Sequence, residues 1–312
     1  MTKNKNNDEQ KNVEVEKSPD LVNDQTKIPT KVLTIFMDVK IKDARSNFEK
    51  LGSQYKVAEN IELYKEIIEG IPCYWLYKSN AKSNSRAILY LHGGCYVLGS
   101  VNSHKALVSH LANETNTTIL FIEYSLSPEN HFPVAINEIL KVYNYLVNKI
   151  KVLRISFIGD SAGAGLTTSA LSTLNRTENA CNLHRVIMIS PWVDLRNNGD
   201  SITKNKDIDP ILTKESLDFF ASLYIGNNKL SEANPIEALF GIFPPTLILV
   251  GSNEILLDDS RTMFSKIAAK QPLTKLSIYE NQTHGLGLLD NIQNESSKRA
   301  LEEIKEFMTI DE

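Results

Sequence analysis

The first candidate for chemistry in this chain is a serine flanked by small residues. Residues 159–163 read Gly-Asp-Ser-Ala-Gly, so Ser161 lies in a Gly-x-Ser-x-Gly pattern. An apolar run at 155–158 precedes the pattern and small residues follow it, which is typical of a strand that turns sharply into a helix. Negative charge is stabilised at such a helix N-terminus. The pattern predicts a nucleophile at Ser161, although a plain tight turn or a phosphate-binding turn would use the same residues.

A pair of glycines upstream is the second chemical feature. Gly93 and Gly94 follow His92 and an apolar run at 87–91. Acyl transfer passes through a tetrahedral oxyanion, which requires N–H donors that are held in place before it forms. Glycines present such amides without side-chain obstruction, and the amide that follows the serine adds another donor. We therefore predict an oxyanion hole made by Gly93, Gly94 and Ala162, with His92 holding the loop; a glycine turn that ends a strand is the alternative.

A general base is expected among the histidines that follow Ser161 in the chain. His284 comes directly after the last predicted strand, at the sheet edge where such folds carry their sites. His184 instead leads into an earlier strand, where a surface position is more common. The pattern favours His284 as the base.

A carboxylate that orients the histidine is expected in the loop after the apolar run at 246–250. Glu254 is the first acidic residue beyond that run. Asp258 and Asp259 stand where acidic residues commonly begin a helix. We predict that Glu254 is the acid and retain Asp258 as the alternative.

The elements that must position these residues alternate along the chain. Helical patterns separate short apolar runs at 87–91, 118–123, 155–158, 186–189, 246–250 and 276–279. This alternation is typical of an α/β fold whose mostly parallel central sheet is flanked by helices on both faces. Residues 61–67 and 71–77, split by Gly70, are expected to form a hairpin.

Two segments depart from this alternation. Residues 1–28 are polar and aperiodic, which predicts a disordered tail. The stretch at about 200–236 is polar at first and then helical, and no strand intervenes before residue 246. We interpret it as an insertion over the carboxyl edge of the sheet.

Composition excludes several classes of function. The 312-residue chain has a net charge of −4 without a basic stripe, which argues against nucleic-acid binding. Its three cysteines, Cys73, Cys95 and Cys181, have no CxxC spacing, which argues against a zinc site and a disulfide framework. We find no apolar core of a secretory signal and no run of about 18 apolar residues, so we expect a cytoplasmic protein without a membrane span. No metal or organic cofactor is expected.

Six motifs, in order, resemble the hormone-sensitive-lipase-like (family IV) carboxylesterase branch of the α/β-hydrolases. They lie at 92–100, 123–129, 159–163, 190–195, 244–247 and 283–285. The resemblance implies the α/β-hydrolase fold with a helical cap, in which residues 29–69 form an N-terminal cap segment and residues 70–312 the catalytic domain with its cap insertion. It also puts Ser161, Glu254 and His284 on the family's triad positions, and Gly93, Gly94 and Ala162 on its oxyanion-hole positions. The family usually carries aspartate at the position of Glu254, and many members have a third glycine at that of Cys95.

The function that the resemblance implies is a serine carboxylesterase acting on small esters with short- or medium-chain acyl groups. It would work through an acyl-enzyme. A lactonase, deacetylase or amidase using the same triad is an alternative, as is a non-catalytic ligand-binding module of the same fold. The expected partner is a small-molecule ester, and the sequence leaves open a monomer or a homodimer.

Overall fold

One mixed β-sheet runs through the protein. The computed structural model describes the backbone of Val13–Glu16 and residues 40–79, 85–238, 241–288 and 294–309. The strands within these ranges are β1 Val13–Glu16, β2 Ile61–Ile68, β3 Ile71–Lys78, β4 Arg86–Leu91, β5 Ile119–Ile122, β6 Arg154–Asp160, β7 Leu183–Ile189, β8 Thr246–Gly251 and β9 Lys275–Tyr279. Their order is β1-β9-β8-β7-β6-β4-β5-β3-β2. All neighbours from β1 to β5 in this order are parallel, whereas β3 and β2 are antiparallel additions.

Helices cover both faces of this sheet. The α-helices in the described ranges are α1 Ile41–Gly52, α2 Val101–Thr115, α3 Val134–Tyr145, α4 Ala162–Leu174, α5 Asp200–Lys204, α6 Lys214–Ile225, α7 Leu230–Ala233, α8 Leu257–Ala268 and α9 Glu295–Thr309. Alternate strand residues point to opposite faces, so Leu89 packs in the apolar cluster that includes α3, α4 and α8. Tyr90 packs in the cluster on the other face, with α2 and α9. The predicted α/β class with a mostly parallel sheet is confirmed.

The predicted hairpin is present, and it changes one boundary. β2 and β3 pair antiparallel around Gly70, whose φ is +83°. Residues 61–68 therefore belong to the central sheet and not to the cap segment assigned to 29–69. The proposed boundary at residue 70 falls in the turn of the hairpin, where a hydrogen-bonded ladder joins the two sides.

The tail also contributes to the sheet. β1 lies within residues 1–28 and pairs in parallel with β9, from Val13 opposite Leu276 to Glu16 opposite Tyr279. Disorder is therefore the wrong prediction for these four residues, whose Val-Glu-Val-Glu alternation has the period of a strand. The rest of that stretch, and residues 29–39 of the proposed cap segment, lie outside the described residues.

The predicted insertion at 200–236 contains α5, α6 and α7 and lies between β7 and β8. It packs on the catalytic part of the chain through Tyr224, whose ring stacks on that of Tyr96 at 3.9 Å between centroids. The backbone N–H of Phe132 donates to the Tyr224 carbonyl at 2.9 Å. Across the described ranges, no helix has the length and apolar character that a membrane crossing requires.

Candidate active site

Ser161 lies at a tight turn between β6 and α4. Its φ of +51° and ψ of −119° are unusual for a residue with a side chain. A Cβ on Gly159 would come within 2.6 Å of the Gly163 backbone, and a Cβ on Gly163 within 1.9 Å of the Leu91 carbonyl oxygen. Gly159 is therefore required by the close approach of the start of α4, and Gly163 by the close packing of this turn against β4. The serine is 6% exposed, at the start of α4, as the pattern predicted.

His284 is hydrogen-bonded to Glu254. Its Nδ1 lies 3.0 Å from Glu254 Oε2, and Glu254 is fully buried. The other carboxylate oxygen accepts bonds from Ser190 Oγ at 2.7 Å and from the Gly251 N–H at 2.6 Å. Because a carboxylate only accepts, Nδ1 must carry the proton and Nε2 is left as an acceptor. This is the tautomer that a general base requires.

Strand ends bring the histidine to the edge of the sheet where Ser161 lies. Ser161 follows β6, Glu254 follows β8 and His284 follows β9, all at the carboxyl ends of parallel strands. Ser190, directly after β7, links them: its Oγ donates to Glu254 and accepts the Gly285 N–H at 3.0 Å. Ser190 was not among the predicted site residues, although it begins the motif at 190–195 and directly follows a buried strand.

Opposing influences act on the charge of His284. Burial works to lower the pKa of the imidazole, but the hydrogen bond and charge of Glu254, with the charges of Asp209 and Asp160, raise that pKa above its ordinary value. The site therefore stabilises the imidazolium form more than water stabilises that of a free imidazole. A base that must accept a proton during a reaction benefits from that stabilisation.

The competing candidates are engaged elsewhere. Asp258 accepts the Ser201 N–H at 2.8 Å and lies 3.0 Å from Arg261 Nη1. Asp259 is buried and accepts the N–H groups of two residues after β7, and burial raises its pKa to about 7. His184 Nδ1 lies 3.4 Å from Ser156 Oγ, near the start of β7 rather than its carboxyl end.

The Gly93 amide is not free, contrary to the predicted donor role. It donates to Asp160 Oδ1 at 3.0 Å, and Tyr90 Oη donates to the same oxygen at 2.7 Å. A Cβ on Gly93 would lie 2.3 Å from Asp160 Oδ2, so this glycine makes room for the carboxylate. Among the described residues, the N–H groups of Gly94, Cys95 and Ala162 have no acceptor.

The side chains of the glycine loop hold its shape. His92 stacks between Phe121 and Tyr124, at 5.4 and 4.3 Å between centroids. Burial lowers its pKa to about 3, so the ring is neutral, and Nδ1 lies 2.7 Å from the Gly93 carbonyl. Burial also raises the pKa of the Cys95 thiol to about 12, which leaves an unreactive small side chain.

Asp160→Ala is expected to loosen the glycine loop. It would leave the Gly93 N–H and the Tyr90 hydroxyl buried without their acceptor, lowering the free energy of unfolding by about 2–5 kcal/mol. We expect kcat to fall about tenfold to a hundredfold as the loop amides lose their position. Asp160→Asn keeps one acceptor oxygen and serves as the control, with chemical denaturation and ester kinetics as the measurements. Wild-type stability and kcat in Asp160→Ala would contradict this role.

Three comparisons show which known proteins this chain is similar to. A family model described as alpha/beta hydrolase fold matches residues 88–288. An esterase of Acinetobacter venetianus is 33% identical over 231 residues, which cover 73% of this chain and 76% of that protein. An acetyl-hydrolase of Streptomyces hygroscopicus is 36% identical over 186 residues, covering 59% of this chain and 62% of that protein. A crystal structure of an esterase from the bacterial hormone-sensitive lipase family superposes with a TM-score of 0.82 at 29% identity, covering 88% of this chain and 94% of the other.

Proposed function

The chain belongs to the α/β-hydrolase fold family, in its hormone-sensitive-lipase-like branch, and we propose that it is a serine carboxylesterase with Ser161, His284 and Glu254 as its triad. The observation that carries the proposal is the hydrogen bond between His284 Nδ1 and the buried Glu254, at the same sheet edge as Ser161. The family model and the relatives confirm the resemblance inferred from the sequence motifs at the level of the family.

The proposed reaction is acyl transfer in two steps. His284 Nε2 takes the hydroxyl proton of Ser161 while the serine oxygen attacks the ester carbonyl carbon. The resulting imidazolium is stabilised by Glu254 and returns the proton to the leaving alcohol, which leaves an acyl-enzyme. His284 then takes a proton from water, the hydroxide attacks the acyl carbon, and the carboxylic acid is released as Ser161 regains its proton.

For the oxyanion hole we propose the amides of Gly94, Cys95 and Ala162. These three N–H groups are without acceptors in the described part of the chain, whereas the Gly93 amide is bonded to Asp160. A backbone amide serves equally well when its residue is cysteine, provided that the loop conformation is reached. Cys95 has a φ of +55°, a conformation that glycine adopts more easily, so this loop is held by its surroundings.

Small acyl groups are the substrates that the surroundings of Ser161 favour. Tyr96 is buried beside the first turn of α4, where a Cβ on Gly165 would lie 2.3 Å from its Oη, and the buried Tyr224 stacks on Tyr96. Bulky side chains there restrict the volume near the nucleophile. The name of one relative, an acetyl-hydrolase, supports a short acyl group.

Turnover of esters and anilides tests the proposal. We expect the wild type to hydrolyse p-nitrophenyl acetate and butyrate faster than the octanoate, and to hydrolyse acetyl p-nitroanilide much more slowly. Faster anilide turnover would favour an amidase. A folded protein that turns over none of these substrates would contradict an esterase and favour a ligand-binding module.

A further inference from the structure

The cap insertion is bonded to the loop that carries Glu254. We call residues 200–212 the clamp segment and residues 252–258 the acid loop. Asn205 Nδ2 in the clamp segment donates to the carbonyl oxygens of Ser252 at 2.9 Å and of Glu254 at 2.8 Å. Ser201 Oγ donates to the Ile255 carbonyl at 2.7 Å. Side chains of the clamp segment thus reach the main chain on both sides of Glu254.

Asp209 makes the most informative of these contacts. It is 2% exposed, and its Oδ2 accepts the Ile255 N–H at 2.9 Å. Its Oδ1 accepts the N–H groups of Ile211 at 2.9 Å and Leu212 at 3.0 Å, which fixes the carboxylate on its own segment. Three amide donors hold a buried negative charge in one orientation.

The clamp segment forms hydrogen bonds with both the carbonyl and the N–H of one peptide unit in the acid loop. The carbonyl of Glu254 and the N–H of Ile255 belong to the same planar peptide. Asn205 binds the carbonyl oxygen and Asp209 binds the N–H. Fixing this plane fixes the ψ angle of Glu254, and so helps to set the direction in which its carboxylate points toward His284.

We propose that Asn205 and Asp209 are positioning residues for the triad, and that Asp209 adds a second negative charge that stabilises the imidazolium of His284. The proposal rests on the proposed function, since it assigns these residues to the same site. Through this clamp, the cap insertion takes part in the alignment of the catalytic acid.

The charge of Asp209 is expected to shift the pH dependence of kcat/KM in one direction. The acidic groups that act on His284 are Glu254 from the acid loop, Asp209 from the clamp segment and Asp160 from the end of β6, and they raise its pKa against the effect of burial. Attack by Ser161 needs neutral His284, so kcat/KM falls as the pH falls through this raised pKa. Removing the charge of Asp209 lowers the pKa, so the acid limb of the profile should move to lower pH.

The test compares three variants by ester kinetics across pH. Asp209→Asn should lower kcat about tenfold to a hundredfold through misalignment and move the acid limb to lower pH. Asn205→Ala should lower kcat by a similar factor without moving the limb, because it removes no charge. Neither variant should change KM. Asp207→Asn, at an exposed position in the same segment, is the matched control and should behave as the wild type.

Thermal unfolding of each variant separates positioning from folding. Wild-type kcat in folded Asp209→Asn and Asn205→Ala would overturn the clamp, and an unmoved acid limb in Asp209→Asn would overturn its electrostatic part. If Asp209→Asn does not fold, Asn205→Ala decides alone, and a wild-type kcat there overturns the proposal. A wild type without ester turnover is a different result, because it rejects the proposed function itself.

Discussion

Ser161→Ala is expected to lower kcat for p-nitrophenyl butyrate by about 10⁵-fold to 10⁶-fold, because no acyl-enzyme can form without the serine oxygen. The change removes one oxygen at a turn whose shape depends on Gly159 and Gly163, so the fold should be kept. An organophosphonate that forms a covalent adduct with activated serines should label the wild type and not the variant. Intact-protein mass spectrometry measures the adduct, and denaturant unfolding verifies the fold.

A second serine on α4 provides the control for this result. Ser169 lies two turns beyond Ser161 and is half-buried. Ser169→Ala should keep both ester turnover and labelling. Labelling of Ser161→Ala, or turnover at the wild-type level, would exclude Ser161 as the nucleophile whatever the activity of the control.

Glu254→Gln is expected to lower kcat by about 10⁴-fold with little change in KM. Glutamine has nearly the same shape, but its amide carries no charge to stabilise the imidazolium. Its one carbonyl oxygen can accept either the bond from His284 Nδ1 or the bonds from Ser190 Oγ and the Gly251 N–H, and its NH₂ group, which only donates, cannot take the place of the other carboxylate oxygen. The orientation and tautomer of His284 should therefore be lost, and single-turnover kinetics should show slow acylation.

Asp258→Asn is the matched control, since it also replaces a carboxylate by its amide in the acid loop. Asp258 accepts the Ser201 N–H and pairs with Arg261, so its replacement should change kcat by only a few-fold. The reverse result, an inactive Asp258→Asn and an active Glu254→Gln, would assign the acid to Asp258. Comparison of the two variants thus decides between the two carboxylates that the sequence leaves open.

The motif at Gly93 and Gly94 predicts the position of the oxyanion hole but not which backbone amides form it. Two adjacent glycines predict a backbone that can approach a substrate closely, and that expectation does not specify which amides are free. Gly93 turns out to accommodate the buried carboxylate of Asp160, whose contribution is invisible in a sequence because it arises from packing between β4 and β6. The same limit applies to Cys95, whose amide becomes a candidate only when the bonds of its neighbours are known.

Features that depend on local patterns could be predicted from the amino-acid chain alone. Strand and helix periodicity predicted the α/β class, the small residues around Ser161 predicted the sharp turn, and the order of motifs predicted which histidine follows the last strand. Features that depend on contacts between distant segments became visible only in the folded protein. These include the pairing of β1 with β9, the hydrogen bond between Glu254 and His284, and the hydrogen bonds of Asn205 and Asp209 to the backbone of the acid loop. Each of these joins groups that lie tens to hundreds of residues apart, and the partner of a buried polar group is set by three-dimensional packing, which no local pattern encodes.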